Sequence, residues 1–366
     1  MTKIVHIITS LSSGGAQNML YKLLKHSNTK EYYHEVISLM DKGIYGEQIK
    51  SLGVKVHCLN LHKGRVVSSL IRTIQLTRDF DVVNTWLYHA DLLGFVAGKI
   101  FNRKKLVWNI RHSNLDKDTN KARTLGIVKL NGYLSRFVDV VTYNSYRAKE
   151  THSTVGYRGH KIVMIPNGFE LDRFYFDLES RVKVRKRLNV GEEPLIITVG
   201  RWDIQKDYYT LIRALDILRK QNTNFRMLMV GSQLDSTNEE LVELVEKHGL
   251  ESRILLLGRR NDVPALLSAT DIYVSSSLGE SFSNSIGEAM ACELPCVVTD
   301  VGDSSLIVGD TGYVVKPESP EELGQVLHDL LANTPVRRRP DARNRIKSNY
   351  DISSVTKEFE KLWDEL

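Results

Sequence analysis

Short apolar runs that alternate with helical stretches constrain the fold of this chain more than any other feature. In the first half, runs rich in Val, Ile and Leu fall at 4–9, 35–40, 55–59, 82–87, 106–110, 140–144 and 162–165. Stretches of helical character separate them, for example 17–26 and 91–100. Strands that alternate with helices form parallel sheets with helices on both faces. The first half therefore predicts an α/β domain with a doubly wound parallel sheet.

The same pattern begins again in the second half. A second series of strand candidates falls at 195–199, 226–230, 254–257, 272–275 and 296–299. Between the two series, Pro166, Asn167, Gly168 and a polar stretch to about residue 190 form the natural boundary. A chain of 366 residues is also longer than one typical core requires. We therefore expect two α/β domains.

The composition is that of an ordinary globular protein, with 42% hydrophobic and 26% charged residues. No apolar run approaches the length that spans a bilayer, and the first residues lack a signal-peptide pattern. The few dispersed cysteines, Cys58, Cys292 and Cys296, fit a reducing compartment, and they lack the companions of a zinc site. We therefore expect a cytoplasmic protein.

The net charge of +6 conceals an uneven distribution. Residues 1–173 hold 26 Lys and Arg against 13 Asp and Glu, a net of +13, whereas the remainder holds 24 against 31, a net of −7. A basic half predicts an anionic partner, usually nucleic acid or an anionic membrane surface. Because RNP, helix-turn-helix and zinc-finger patterns are missing from the sequence, we expect the membrane surface and no nucleic acid.

Basic residues in this half lie beside apolar residues at helical spacing. The basic residues are Lys99, Arg103, Lys104, Lys105, Lys117, Lys121, Arg123, Lys129 and Arg136, and the apolar ones are Phe101, Ile127, Leu130, Leu134 and Phe137. One interpretation is a helix that packs on the sheet and exposes a solvated basic face. The other is an interfacial helix that holds the domain on anionic lipid.

The segment from Gly279 to Pro295 carries the most informative polar pattern. Glu280 falls in a predicted loop, the following serines and Asn284 offer a helix N-cap, and 285–291 continues as helix. A helix N-terminus suits a phosphate, and carboxylates on either side of it suit the hydroxyl groups of a nucleotide sugar. The alternative is a capping box formed by Ser285 and Glu288, which are three residues apart.

A basic loop follows the strand candidate at 195–199. Gly200 permits a sharp turn at the end of the strand, where ligands of open α/β sheets bind. Arg201 offers a planar fork for phosphate oxygens, and Lys206 adds a mobile point charge. Without other motifs, both side chains would be read as solvated.

These motifs resemble those of the GT4 family of retaining GT-B glycosyltransferases. The string from Glu280 to Glu288 is similar to the family's Glu-x7-Glu signature, and Gly200, Arg201 and Lys206 match its Gly-Arg-x4-Lys element. The resemblance spans the whole chain and is closest to bacterial O-antigen and capsule glycosyltransferases. It implies two Rossmann-like domains that face each other across a cleft. Residues 1–170 would bind the acceptor, residues 171–351 would bind the nucleotide sugar, and a final helix at 352–366 would cross back to the first domain.

The resemblance also implies a donor site and roles within it. Arg201, Lys206 and the amides near Ser283–Ser285 would neutralise the departing diphosphate, Glu280 would orient the sugar, and Glu288 would bind the ribose. The catalytic residues would be Arg201, Lys206 and Glu280. The donor-binding set would be Gly14, Gly15, Gly200, Arg201, Lys206, Glu280, Ser281, Phe282, Ser283, Asn284, Ser285 and Glu288.

The acceptor side rests on fewer residues. Gly14 and Gly15 form either a simple turn after the first strand or the family's phosphate-approaching pair, and Gln17 replaces the Glu of many relatives. His89 is either a base or sugar ligand, or a packed histidine that caps the next helix. Many relatives carry His where Trp86 stands, so Trp86 is a second candidate for sugar contact. Arg111 is the candidate for an anionic group of the acceptor.

We expect neither a metal nor a cofactor. Asp116 and Asp118 form a literal D-x-D pattern without a supporting motif, and Arg201 and Lys206 would take the place of a cation.

The implied reaction moves a hexose or N-acetylhexosamine from a nucleotide sugar, with UDP-sugars the commonest donors, to a growing surface glycan. A polyprenyl diphosphate carrier would place the enzyme on the inner face of the cytoplasmic membrane. The alternatives are a GT-B sugar-nucleotide epimerase or a phosphorylase, and a non-catalytic partner that binds a nucleotide sugar.

Overall fold

The computed structural model describes residues 1–61, 64, 66–117, 120–332 and 336–366. The chain divides into two compact units. Unit 1 comprises Met1–Gly168 together with Ile352–Leu366, and unit 2 comprises Phe169–Asp351.

The strands of unit 1 form a parallel sheet in the order β3-β2-β1-β4-β5-β6-β7. They are β1 (Thr2–Ile8), β2 (Tyr32–Ser38), β3 (Lys55–Cys58), β4 (Val82–Trp86), β5 (Lys105–Ile110), β6 (Val140–Tyr143) and β7 (Lys161–Met164). Every predicted strand of this half is present, because runs of Val and Ile suit strands that are buried on both faces. The order of connection reverses between β1 and β4, and ligands of such sheets bind beside the carboxyl ends of the strands at this reversal.

Helices flank the sheet of unit 1. They are α1 (Gly15–His26), α2 (Gly43–Ser51), α3 (Val66–Thr77), α4 (Tyr88–Gly94), α5 (Ala122–Leu134) and α6 (Tyr146–Thr154). The prediction of one helix over 91–100 was wrong in detail, since α4 begins at Tyr88 and gives way to a π-helical segment, Phe95–Phe101. A widened turn of this kind is not encoded in the spacing of apolar residues.

Unit 2 contains a second parallel sheet, in the order β10-β9-β8-β11-β12-β13. Its strands are β8 (Leu195–Val199), β9 (Arg226–Val230), β10 (Ile254–Gly258), β11 (Ile272–Ser275), β12 (Cys296–Thr299) and β13 (Tyr313–Val315). The first five match the predicted strands. The order of connection reverses between β8 and β11, so the loops that follow these two strands are the expected ligand-binding loops of this unit.

The helices of unit 2 are α7 (Leu178–Arg187), α8 (Tyr208–Lys220), α9 (Glu239–Lys247), α10 (Val263–Ala269), α11 (Asn284–Ala291), α12 (Ser304–Val308), α13 (Pro320–Ala332) and α14 (Pro340–Tyr350). Arginines satisfy the carbonyl groups at the C-terminal end of α11. Arg338 donates to Cys292 O at 3.0 Å, and Arg343 donates to Ala291 O. Cations at this end of a helix stabilise its dipole. They also fix α11, whose opposite end reaches the candidate site.

The last helix, α15 (Ile352–Asp364), belongs to unit 1. Its side chains Ile352, Val355, Phe359, Leu362 and Trp363 are buried with the core of that unit. In the part of the chain that the structure describes, there is no helix that is both long and apolar enough to cross a bilayer.

Candidate active site

The two loops at the strand reversal of unit 2 are hydrogen-bonded to each other. One loop follows β8 and contains the predicted cations, and the other follows β11 and contains Glu280. Gln205 O accepts from Leu278 N at 2.7 Å, and Ser276 Oγ donates to Lys206 O at 2.9 Å. The parallel sheet therefore brings together residues that lie about 75 positions apart in the sequence.

Lys206 and Glu280 form an ion pair at the centre of these loops. Lys206 Nζ donates to Glu280 Oε1, and both side chains are mostly buried, with exposed fractions of 21% and 13%. Ser277 Oγ donates to the same carboxylate oxygen at 3.0 Å. Gly200 lies beside the stem of Lys206, since a Cβ at this position would be 2.8 Å from the Tyr208 hydroxyl and 3.5 Å from Lys206 Cε. Sequence reasoning missed Ser277, because a serine before a glutamate carries no signal on its own.

Arg201 differs from Lys206 in its exposure. Its side chain is 63% exposed, and its Nε donates to Asp203 Oδ2 at 2.8 Å. Partial burial of Asp203 favours the neutral acid. The hydrogen bonds from the Arg201 side chain and from the backbone N–H of Gln205 outweigh this effect and hold the pKa of Asp203 below its ordinary value. Arg201 is therefore a charged, accessible group at the mouth of the loops.

Helix α11 begins where a phosphate site requires it. Ser283 is the extended N-cap, and Asn284 and Ser285 occupy the first helical turn. The capping-box alternative required Ser285 at the N-cap position, which Ser283 occupies instead. Ser285 Oγ accepts a hydrogen bond from the buried Tyr273 hydroxyl at 2.8 Å. The first turn of α11 thus presents backbone N–H groups and the positive end of the helix dipole.

Two neighbours fix the backbone that carries Glu280. The ring of Phe282 is buried against Phe169 and Tyr350, with centroids 6.2 and 5.3 Å away. Phe282, predicted to bind donor, therefore anchors the loop through its side chain. Ser281 O accepts from Asp303 N at 3.2 Å, which ties the loop to the segment that follows β12.

In unit 1, Gly14 and Gly15 stand at the start of α1, beside the strand reversal of that sheet. Gln17 Nε2 donates to Ser10 O at 3.1 Å and so braces the same turn. Leu87, which follows β4, adopts φ 75° and ψ 152°, a region in which residues other than glycine are strained. Sequence reasoning offered no signal for this strained residue.

The three acceptor candidates of unit 1 lie in different environments. Trp86 is fully buried, and its ring packs against Phe359, so it does not present a face to a sugar in this structure. His89 is half-buried on α4, and burial lowers its pKa below the ordinary value, which favours the neutral imidazole. His89 therefore keeps both interpretations given above.

The third candidate, Arg111, is buried in the interior of unit 1. Its guanidinium lies between the rings of Trp86 and Phe359, with its central carbon 5.1 and 5.5 Å from their centroids. It donates to Ile165 O at 3.3 Å and to Asn167 Oδ1 at 2.9 Å, and burial lowers its pKa to about 9. These contacts hold the side chain in the interior of unit 1, but they engage only Nη1, and Nε and Nη2 have no hydrogen-bond partner among the described residues. The role of Arg111 in binding an anionic acceptor group therefore stays a prediction.

The described residues contain no group of three or more His, Cys, Asp or Glu side chains placed to hold a metal ion. Asp116 is an exposed loop residue, and Asp118, the other half of the D-x-D pattern, lies outside the described residues. The site of unit 2 offers the cations Arg201 and Lys206, the carboxylate of Glu280 and the N-terminus of α11, and the half-buried Glu288 lies on that same helix. These groups suit a diphosphate that carries hydroxyl-rich substituents.

Two family models match the chain. The model described as Glycosyltransferase Family 4 matches residues 13–173, and the model described as Glycosyl transferases group 1 matches residues 193–333. Together they cover more than half of the chain, including both loops of the site in unit 2. The chain therefore belongs to the family-4 glycosyltransferases, as its motifs predicted.

Individual relatives and one solved structure agree with this assignment. The chain is 23% identical to the capsular polysaccharide biosynthesis glycosyltransferase CapH of Staphylococcus aureus, over 99% of each chain. It is also 23% identical to the Escherichia coli UDP-Gal:alpha-D-GlcNAc-diphosphoundecaprenol alpha-1,3-galactosyltransferase, over 84% of this chain and 81% of the relative. The crystal structure of Anabaena HepE in complex with UDP matches all of both chains with a TM-score of 0.88 at 22% identity. This likeness confirms the predicted GT-B fold.

Proposed function

We propose that this glycosyltransferase is a retaining enzyme that moves a hexose or N-acetylhexosamine from a UDP-sugar to a lipid-linked polysaccharide precursor. The observation that carries the proposal is the convergence of Arg201, Lys206, Glu280 and the N-terminus of α11 at the strand reversal of unit 2. The names of the S. aureus and E. coli relatives, which act in capsule synthesis and on a diphosphoundecaprenol acceptor, support the choice of acceptor.

In the proposed reaction, the bond between the sugar C1 and the β-phosphate oxygen breaks, and the acceptor oxygen bonds to C1 on the same face. The acceptor proton passes to the departing phosphate oxygen. Arg201, Lys206 and the amides of α11 stabilise the charge that develops on the diphosphate. Glu280 orients the sugar through its hydroxyls, and Glu288 binds the ribose. The chemistry requires no nucleophile from the protein and, as proposed, no metal ion.

A donor panel tests this function. Purified protein is incubated with UDP-, GDP- and ADP-sugars, with and without a polyprenyl-diphosphate-linked saccharide, and nucleotide release and product are measured. We expect UDP release that depends on the acceptor, an unchanged anomeric configuration by NMR, and activity in EDTA. Conversion of the nucleotide sugar without an acceptor would favour the epimerase, phosphate-dependent release would favour the phosphorylase, and binding without turnover would favour the non-catalytic partner. Loss of activity in EDTA that Mn²⁺ restores would contradict metal independence.

We further propose that unit 1 binds peripherally to the inner face of the cytoplasmic membrane. The predicted apolar stripe divides in the structure, with Ile127 and Leu134 packed on the core and Leu130 and Phe137 exposed. Phe95 lies 6.5 Å from Phe137, which places the π-helical segment next to this exposed surface.

The residues proposed to contact lipid share exposure and an apolar or basic side chain. The apolar ones are Ile100, Phe101, Leu130, Tyr133 and Phe137, and the basic ones are Arg103, Lys105, Lys121, Arg123, Lys129 and Arg136. Each basic residue near an anionic bilayer contributes about 1 kcal/mol, and the exposed rings add apolar contact.

Flotation with phosphatidylglycerol-containing vesicles tests the membrane proposal. We expect the protein to float at low ionic strength, to stay at the bottom with phosphatidylcholine alone, and to be released by high salt. Phe101→Ser combined with Phe137→Ser should reduce flotation. Leu178→Ser, which removes an exposed apolar side chain of unit 2, is the matched control and should float like the wild type. Wild-type protein that stays at the bottom at low salt would refute the proposal.

A further inference from the structure

Lys206 and Glu280 form a hydrogen-bonded ion pair with each other. They are also the two groups proposed to bind the two sides of the donor bond that breaks. Lys206 would stabilise the diphosphate, and Glu280 would hold the sugar. In the structure, the ammonium donates to Glu280 Oε1, so the carboxylate neutralises the cation at the position where the phosphate would bind. Recognition of the phosphate and recognition of the sugar are therefore coupled through one ion pair.

The surroundings of the pair make this coupling strong. Glu280 is 13% exposed and also accepts from Ser277 Oγ, which is itself fully buried, so the carboxylate is held in place and shielded from solvent. Charges in such a setting interact more strongly than they do in water. An anion that approaches Lys206 must therefore compete with a fixed carboxylate.

The two nucleotides of the reaction meet this carboxylate differently. A nucleotide sugar brings hydroxyl donors that satisfy Glu280 while its diphosphate approaches Lys206. The free nucleoside diphosphate lacks the hydroxyls of the transferred sugar, and its terminal phosphate carries additional charge near neutral pH, as phosphate monoesters do. Glu280 thus opposes the product and accommodates the substrate.

We infer that Glu280 is a discriminating residue that makes the donor site prefer the nucleotide sugar over the nucleoside diphosphate left after transfer. This inference rests on the proposed function. Glu280 would then have a second role besides orientation of the sugar. Once the sugar has been transferred, the carboxylate pairs with Lys206 again and promotes release of the nucleoside diphosphate. The preference is a ratio of dissociation constants, so it can be measured without turnover.

Isothermal titration with UDP and with UDP-glucose tests the inference at low salt. For Glu280→Gln, we expect UDP to bind about tenfold tighter or more, because removal of the carboxylate frees Lys206. UDP-glucose should bind equally or more weakly, because the sugar loses a charged acceptor. The ratio of the UDP constant to the UDP-glucose constant should therefore fall about tenfold or more.

Thermal unfolding shows whether Glu280→Gln folds. If it does not fold, a second variant tests the inference. Lys206→Gln leaves the Glu280 charge without Lys206, so it should weaken UDP more than UDP-glucose and raise the same ratio. Asp300→Asn is the charge-matched control, because Asp300 is an exposed carboxylate that follows the neighbouring strand β12. It should leave the ratio unchanged.

The outcomes separate this inference from the proposed function. If the wild type binds UDP-glucose and UDP but Glu280→Gln leaves UDP affinity unchanged or weaker, the discriminating role is wrong and the proposed function stands. If Asp300→Asn changes the ratio of dissociation constants as much as Glu280→Gln does, the change comes from the loss of any nearby negative charge, and the inference about the Lys206–Glu280 ion pair is wrong. Wild-type protein that binds neither ligand would reject the UDP-sugar function and this inference with it.

Discussion

The cations Arg201 and Lys206 reach the same proposed phosphate from different settings, one exposed and one mostly buried. We expect Arg201→Ala and Lys206→Ala each to lower kcat/KM by about 100-fold or more, because each removes a preorganised donor from developing negative charge. Steady-state kinetics with a UDP-sugar and a lipid-linked acceptor measure the effect.

Arg213→Ala is the matched control for these variants. Arg213 is an exposed arginine on α8, 4.0 Å from the exposed Glu321. Surface substitutions of this kind change free energies by less than about 0.5 kcal/mol, so kcat/KM should stay near the wild-type value. Near-normal turnover of both Arg201→Ala and Lys206→Ala would remove these residues from the proposed reaction.

Asp91 gives a second prediction at the residue scale. It is fully buried on α4, and burial raises its pKa well above 3.8, although the hydrogen bond from Thr85 Oγ1 to Oδ1 opposes the shift. The folded state therefore keeps a proton that the unfolded state releases above about pH 4, so this residue costs stability as pH rises. We expect Asp91→Asn to be more stable than the wild type at pH 8 and to lose this advantage near pH 4. Urea unfolding at both pH values measures it, and an equal difference at both would contradict the protonated state.

The side chains that sequence reasoning placed least well are those whose environment depends on distant parts of the chain. The motif around Arg201, Lys206 and Glu280 could be predicted, because its residue types and spacing are local. The burial of Arg111 could not, because Phe359, one of the two rings that enclose it, lies on a helix almost 250 residues later. Ser277 was missed because its role depends on the hydrogen bond that it donates to the Glu280 carboxylate, and the sequence does not show this contact.

At the scale of elements, the loop after β12 determines the position of the Glu280 loop. Gly302 adopts φ 59°, and a Cβ at this position would lie 2.2 Å from Glu280 O. We expect Gly302→Ala to destabilise unit 2 by about 1–3 kcal/mol and to weaken UDP-sugar binding, because the strain and the clash both move the Glu280 backbone. Chemical unfolding and titration with UDP-glucose measure the two effects.

Gly191→Ala is the control for this variant. An added Cβ at Gly191 meets nothing within 4 Å among the described residues. It should leave both stability and binding nearly unchanged. Wild-type binding in Gly302→Ala would show that the segment after β12 does not hold the Glu280 loop.

Elements with long apolar runs could be predicted from the sequence, and elements shaped by tertiary contacts could not. The predicted strands of both units are present, since most are runs of buried β-branched and apolar residues, and only the edge strands β3 and β7 of unit 1 are largely uncovered. The strand β13 (Tyr313–Val315) was missed, because three residues carry no readable period. The π-helical segment Phe95–Phe101 was missed because apolar spacing does not distinguish it from an ordinary helix.

At the scale of the whole molecule, ionisable groups buried in unit 1 link its stability to pH. The rings of His6 and His34 are hydrogen-bonded to each other at 3.1 Å, and His34 is bonded to Ser27 Oγ at 3.0 Å. Burial lowers the pKa of His34 from 6.5 to about 4, and burial together with His34 lowers the pKa of His6. Burial also lowers the pKa of His152 on α6 to about 4. All three histidines therefore stay neutral in the folded unit at mildly acidic pH.

The sign of the pH effect follows from these shifts. Between pH 6.5 and about 4, the unfolded chain binds protons that folded unit 1 does not, so the free energy of unfolding falls as pH falls. A shift of this size corresponds to roughly 3 kcal/mol for one histidine, a large part of the stability of a domain. We therefore expect hydrogen exchange in unit 1 to accelerate as pH is lowered from 7.5 to 4.5, after correction for the intrinsic rates. His34→Gln should flatten this dependence, whereas His160→Gln, which alters an exposed histidine, should leave it unchanged. An acid dependence that is the same in His34→Gln and in the wild type would show that the buried histidine pair is not its source.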